Sequence, residues 1–200
     1  MPRTKEAFAS MRQATRLKIE AAALSLFARR GLSVRVGEIA RAAGVSQGLL
    51  YSHYPSKDAL IAELVRQATT VSGRTVMEIA EGGGDAAGKI KSISSMMCQM
   101  FTDTPIGIDY FMFMTQAGVS GFCAPEAAAY SEEFPNPAET LARVVARGQA
   151  EGSAADGDPA RLSVVYWAVI QGLCCYAVSG MTVSPEPEML NRILLKEDHL

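Results

Sequence analysis

Ile39 to Leu60, IARAAGVSQGLLYSHYPSKDAL, is the stretch that decides how the rest of the chain is read. Val36, Ile39, Ala40 and Ala43 recur at the spacing of one helical stripe, and Gly44 ends it. The alanines let two helices cross closely, and Gly44 supplies the positive φ that a three-residue turn needs. Val45 plugs the corner. Ser46 has the short hydroxyl side chain that caps a helix N-terminus, Leu50 points back to the core, and Gln47, Gly48, Leu49, Tyr51 and Ser52 cover the other faces. Pro55 stops this second helix, and Ser56 caps a third with Lys57 and Asp58 in its first turn.

Upstream, Ile19, Ala22, Ala23, Leu26 and Phe27 make one apolar stripe, Arg16, Lys18, Glu20, Arg29 and Arg30 fall off it, and Gly31 supplies the stop. In register, IEAAALSLFARRG and IARAAGVSQGLLYSHYPSKDAL resemble the DNA-binding domain of the tetracycline-repressor (TetR) family of transcriptional regulators over about residues 15 to 65. The resemblance implies a helix-turn-helix domain over 15–65 and a helical effector-binding and dimerisation domain over 66–200, and the basic residues without an apolar run over 1–14 are expected to form a flexible arm.

It also implies that the helix from Ser46 to His53 lies in the DNA major groove. Gln47 is then placed to pair with adenine, or to bond more loosely to other base edges, and Leu49 to touch a thymine methyl, while Gly48 permits close approach. Tyr51, His53, Tyr54 and Lys57 match positions that meet the sugar-phosphate backbone, with Ser46 and Ser52 on the same helix. Where the family carries Thr or Ser near the start of the second helix, this chain has Arg35 and Val36. Ser33 is the expected cap there, and Arg35 a charged substitute for a hydroxyl-to-phosphate bond.

Charge agrees with a two-part chain. The net charge is −2, yet residues 1 to 60 carry ten Lys/Arg against four Asp/Glu, and residues 61 to 200 carry nine against seventeen. A basic head is joined to an acidic body. The four cysteines, Cys98, Cys123, Cys174 and Cys175, show no CxxC spacing, so no metal site and no disulfide framework is expected, and a reducing cytoplasm is the natural compartment. The N-terminus has basic residues without a following apolar run, which excludes a signal peptide.

Downstream of Leu60 every segment has helical spacing. Leu60, Ile61, Leu64, Ala68 and Val71 continue toward Ile79, and EGGGD at 81–85 breaks the pattern. Ile90, Ile93, Met97, Met100 and Phe101 define the next helix. After Pro105 the chain is apolar on nearly every side from Ile108 to Met114. Adaptable methionines and bulky aromatics suit a pocket for an apolar effector, with Met97, Met100, Phe101, Tyr110, Phe111, Met114 and Trp167 as candidates; ordinary core packing is the plainer alternative. Residues 122–137 read as a short helix broken by a loop. Asn136, Pro137 and Glu139 then signal a helix start.

From Leu162 to Pro185 no residue is charged. Interruptions by Ser, Gln and Gly, and flanks without a Lys/Arg cluster, favour a helix buried on two sides over one spanning a membrane. Leu162, Val165, Tyr166, Val169, Leu173 and Tyr176 mark one face; Val164, Trp167, Ile170, Cys174 and Val178 mark another. Met189, Leu190, Ile193 and Leu194 make a last amphipathic helix. In the resembled family the last two long helices form a four-helix dimer interface, which nominates Val165, Val169, Gly172, Leu173, Tyr176, Leu190, Ile193 and Leu194.

The expectation is an all-α cytoplasmic homodimer, needing no cofactor, that binds an operator in double-stranded DNA and is released by a small, largely apolar effector. An enzyme is disfavoured because the two histidines, His53 and His199, lie outside the body and assemble no triad. A cysteine redox sensor is a third class; adjacent Cys174 and Cys175 are poorly placed to bridge each other.

Overall fold

A computed structural model describes residues 5–69, 74–102, 105–122 and 136–200. These form ten α-helices: α1 (Lys5–Arg30), α2 (Val36–Ala42), α3 (Gln47–His53), α4 (Lys57–Ala68), α5 (Arg74–Glu81), α6 (Ala86–Thr102), α7 (Pro105–Val119), α8 (Pro137–Glu151), α9 (Pro159–Val178) and α10 (Pro187–Leu194). Among the described residues the one β pairing is an isolated bridge between Ala154 and Leu195. The all-α expectation holds. The expected contribution of Val71, the helix within 122–137 and Cys123 lie outside the described residues, apart from the ends of that segment.

The loose arm does not appear in residues 5–14. They are the first turns of α1, because KEAFASMRQA is rich in strong helix formers and contains neither Gly nor Pro. Local signals set most other boundaries. Ser56 accepts a hydrogen bond from the Ala59 N–H (3.0 Å), Asn136 from Ala138 (2.9 Å) and Asp158 from Ala160 (2.9 Å), with prolines in the first turns of α8 and α9. Gly31 and Gly44 end their helices at φ 75° and 67°. Each side-chain cap satisfies an amide left without an intrahelical acceptor.

Two apolar clusters organise the packing. The first joins Ile19, Ala23, Phe27, Ile39, Ala40, Leu50, Leu60 and Leu64 from α1 to α4. The second joins Ile90, Ile93, Leu141, Val145, Tyr166, Ile170, Leu190 and Leu194 from α6, α8, α9 and α10. Helix α7 belongs to both. Phe113 and Ala117, with Tyr110 and Met114 beside them, enter the first cluster, where the Phe113 and Phe27 rings stack at 6.0 Å. Ile108, Phe111 and Met112 enter the second. That is why Ile108 to Met114 is apolar all round: a helix between two cores must bury two stripes.

Helix α9 is long and apolar enough to cross a membrane. Among the described residues it is buried on one side, through Ser163, Tyr166, Ile170 and Cys174, which is the face expected to meet its own core; the other face is the one expected to meet another subunit. Val164, Val165, Val169 and Tyr176 are exposed. Leu190 and Leu194 are wholly buried in the chain's own core, which removes them from the surface open to a partner; Met189 takes the exposed side of α10.

Candidate nucleic-acid interface

Helix α3 is held from behind and open in front. Leu50 is fully buried among α1, α2 and α4, so rotation of the helix about its axis is fixed by one side chain. Ser46 caps its start by accepting the Leu49 N–H at 3.1 Å. Gln47, Gly48, Leu49, Tyr51 and Ser52 are exposed, and a β-carbon at Gly48 would meet nothing within 4 Å. Ser52 donates its hydroxyl to the Leu49 carbonyl at 2.7 Å, which keeps its O–H within the helix. His53 is half-buried; burial and the nearby Arg12 and Arg16 lower its imidazole pKa, so the neutral ring prevails at pH 7.

The Gln47 side chain lies against the backbone of α2. A β-carbon on Gly37 would come within 2.6 Å of Gln47 Nε2. The expectation for α3 included Gly48 as the residue of close approach; within the chain itself, Gly37 has that role toward Gln47.

Two expected backbone-contacting groups are otherwise engaged. Tyr54 is buried at 5% exposure and donates its hydroxyl to the Glu20 carboxylate. It follows Leu50 by four residues and so shares its inward face. Tyr54 is therefore corrected from a DNA-facing residue to a core one, and burial, reinforced by Glu20, pushes its phenol pKa well above the usual range. Lys57 donates from Nζ to the Leu32 carbonyl at 2.8 Å, tying the start of α4 to the loop after α1. This leaves two donors on its ammonium.

Residue 35 is the N-cap of α2, and Ser33 is not its cap. A guanidinium has no acceptor to offer an amide. Glu38 reaches back instead, accepting the Arg35 N–H at 3.0 Å and the Arg30 guanidinium at 2.7 Å. These bonds hold the Glu38 carboxyl below its ordinary pKa, the backbone bond first. Arg30, Arg35 and Arg41 line an open groove of about 590 Å³ beside α2.

Sequence reasoning missed the polar relay behind this surface. Glu20 takes Arg16 Nε at 2.8 Å, Arg16 Nη2 reaches Glu63 at 2.7 Å, Gln67 Nε2 donates to Glu63 at 2.9 Å, and the Tyr110 hydroxyl donates to Gln67 at 2.9 Å. Starting from Tyr54, hydrogen bonds thus run through α1 and α4 to α7. Arg66 adds two bonds to Glu63 (2.9 and 2.7 Å) and, as the largest of several causes, lowers the Glu63 pKa to about 2.

The seven nominated effector residues fall into two groups. Met97, Met100, Phe101, Phe111 and Trp167 pack against the second core, and Tyr110 and Met114 against the first. Phe111 stacks on Trp167 at 6.3 Å, and the Tyr166 ring meets Trp167 edge-on at 5.5 Å. Met100 lies across Gly107, where a β-carbon would meet its Cγ at 2.6 Å. Among the described residues the buried Trp167 indole Nε1 has no hydrogen-bond partner. Neither the groove beside α2 nor the cavity lined by Lys89, Arg143 and Arg147 includes any of these seven residues.

Among the described residues no three His, Cys, Asp or Glu side chains come together to hold a metal ion. Cys98 and Cys174 are buried, which raises their thiol pKa values to about 11 and about 12, and Cys175 is exposed. The two buried thiols are poor nucleophiles at neutral pH.

Residues 19–64 match the sequence profile of bacterial regulatory proteins of the tetR family. The HTH-type transcriptional regulator AcrR of Shigella flexneri is 36% identical over 83 residues, which are 40% of this chain and 39% of that protein. The chain thus matches well under half the length of this curated relative. Among solved structures, a transcriptional regulator of Saccharomonospora viridis in complex with choline superposes with a TM-score of 0.65 at 20% identity, over 92% of this chain and 100% of that one. A SmeT–triclosan complex superposes with a TM-score of 0.65 at 17% identity, over 94% of this chain and 95% of that one. At such identities these likenesses establish the fold.

Proposed function

We propose that the chain, whose residues 19–64 match the tetR family of bacterial regulatory proteins, is a dimeric, ligand-responsive transcriptional repressor acting in the cytoplasm. The observation that carries the reading is the outer face of α3. Gln47, Leu49 and Tyr51 stand exposed on a helix that Leu50 and Ser46 fix in place. Exposed Leu and Tyr on a short helix cost solubility, and a major groove offers partners for both. Ser46, Gln47, Gly48, Leu49, Tyr51, Ser52 and His53 form the proposed DNA surface, with Arg35 and the remaining Lys57 donors at its phosphate margins.

The exposed apolar face of α9 supports a homodimer. Val164, Val165, Val169 and Tyr176 stand on one side of the helix, with Gly172 among them and Met189 and Ile193 on α10. Contiguous apolar surface of this kind marks an interaction site. Two-fold symmetry would set two α3 helices in successive major grooves, about 34 to 36 Å apart, on a near-palindromic operator.

For the effector, the region of Phe111, Trp167, Met97 and Met100 is the proposed site. A buried indole N–H without an acceptor is costly, and a ligand with one acceptor on an apolar frame satisfies it. Methionines re-pack at low cost to admit such a molecule. The choline and triclosan held by the two structural relatives are consistent with a body that takes small molecules. Helix α7 spans both cores, so a ligand that displaces Phe111 also displaces Phe113. A coupling of roughly 1 to 3 kcal/mol would change operator affinity about 5- to 150-fold.

The test is a footprint and mobility-shift titration on DNA upstream of the protein's own gene. A protected near-palindrome at low salt is expected. A folded dimer that protects no sequence in preference to another would sink the reading.

A further inference from the structure

A second cavity, of about 190 Å³, opens on the body where the end of α5, the first turns of α6 and the middle of α8 meet. Its lining is cationic. Buried Lys89 and exposed Arg143 and Arg147 bring three positive charges to it, and Glu81, also exposed, is the one acid among the described lining residues.

Lys89 is the unusual member. It is 5% exposed, and its Nζ donates to the Ala80 carbonyl at 2.6 Å. No carboxylate pairs with it among the described residues. A cation beside the last carbonyls of α5 is well placed for the helix dipole, and that accounts for one donor. An ammonium has three. The position was visible in the sequence as Ala86, Lys89, Ile90 and Ile93, a lysine on the apolar stripe of α6.

Arg143 adds to the excess. Its guanidinium donates to Thr140 Oγ1 at 3.1 Å and meets no carboxylate among the described residues. Thr140 is itself buried, and its hydroxyl, having accepted from Arg143, still has a proton to donate. Arg147 is already held by Glu151 at 2.6 Å and by the Gly84 carbonyl at 3.2 Å, so it contributes mainly charge. A buried cation without a counter-charge is costly, and the groups around Lys89 raise that cost. What completes the arrangement is an anion.

We propose that this cavity binds a small oxyanion, the phosphate or carboxylate group of a compact metabolite, between Lys89 and Arg143 with Thr140 as a neutral donor. The volume corresponds to about six waters at ~30 Å³ each, which admits phosphate or a three-carbon diacid. Val144 supplies the apolar wall. The site shares no residue with the proposed operator surface or with the Phe111–Trp167 region, so it stands or falls independently of the repressor reading.

The experiment titrates the full chain with inorganic phosphate, and separately with malonate, at constant ionic strength held by chloride, and follows Tm. A saturable rise of roughly 5 to 10 °C is expected at a hundredfold excess over Kd. Arg143→Gln should lose most of that rise while keeping its ligand-free Tm and its operator binding. Lys89→Met, which keeps the buried stem, should behave likewise if it folds; Arg143→Gln decides the matter if it does not. Response to phosphate alone assigns a phosphate-bearing ligand, and response to both assigns oxyanions generally. Phosphate also stabilises proteins by exclusion from their surface. A non-saturating rise of equal size in wild type and Arg143→Gln, or no rise at all, overturns the proposal.

Discussion

Helices α3 and α9 each present an outward face left uncovered by the described residues, and the two faces are built on opposite terms. That of α3 mixes Gln47, Leu49, Tyr51 and Ser52 around a glycine, on seven residues capped by Ser46. That of α9 is Val164, Val165, Val169 and Tyr176 on twenty residues without a charge after Arg161. The first offers hydrogen-bonding groups and small apolar contacts at separate points, as a groove of base edges requires. The second offers continuous apolar area, as another protein helix requires. Exposure alone does not distinguish a DNA surface from a protein one; the mixture of side chains does.

The comparison depends on both faces being backed by rigid packing, and the largest effect should come from removing that backing. Leu50→Ala empties the inner side of α3 and should cost about 2 to 5 kcal/mol of stability, read as a shift of the urea midpoint. Next in size is a pair of charge insertions. Val165→Glu with Val169→Glu should weaken self-association on the order of 1000-fold, since an anchoring residue at an interface centre carries about 2 kcal/mol or more and two are lost together. Sedimentation should then show a folded monomer. Leu49→Glu should leave the dimer intact and abolish operator binding. If both variants damaged the same property, the division between the faces would be wrong.

Smaller effects test the relay behind α3. Tyr54→Phe removes the hydroxyl that donates to Glu20 and should cost about 1 to 3 kcal/mol, because the buried carboxylate loses a donor. Glu63 gives a pH signature. Its folded pKa of about 2 lies below the ~4.3 of an unfolded Glu, so its contribution is complete above about pH 5 and is lost as pH falls toward 2. Wild type should therefore be more stable than Glu63→Gln at pH 6, and the gap should close on acidification. A gap that widened below pH 4 would contradict the assignment.

How much of this was readable beforehand follows from the range of each interaction. Caps at Ser46, Ser56 and Asn136 are contacts within three residues, and the residue types alone indicate them. Tyr54 was assigned outward by resemblance, although its spacing of four from Leu50 placed it inward. For Leu190 and Leu194 spacing was insufficient: an amphipathic stripe shows that a face is buried, not whether its partner is the same chain or another. The apolar surroundings of Ile108 to Met114 were visible, but a pocket lining and a helix between two cores share that pattern. Arg16 and Glu63 are 47 residues apart, and no local pattern links them.

The smallest predicted effect concerns Gly37, the residue that ties α2 to the reading face of α3. Alanine there should raise helix stability by up to about 0.5 to 1 kcal/mol, since glycine costs that much within a helix. Its β-carbon would also stand 2.6 Å from Gln47 Nε2, and the flexible amide must turn away. Folding therefore tolerates the change, and operator reading does not remain the same. A displaced glutamine loses its register with an adenine edge, a pairing worth about 1 to 3 kcal/mol of discrimination when fully formed. Gly37→Ala should accordingly keep or raise Tm while reducing selectivity several-fold at one symmetric pair of operator positions. The same substitution in a Gln47→Ala background should change selectivity no further, because the displaced group is gone. Independent losses in the two variants would show that Gly37 acts on DNA by another route than Gln47.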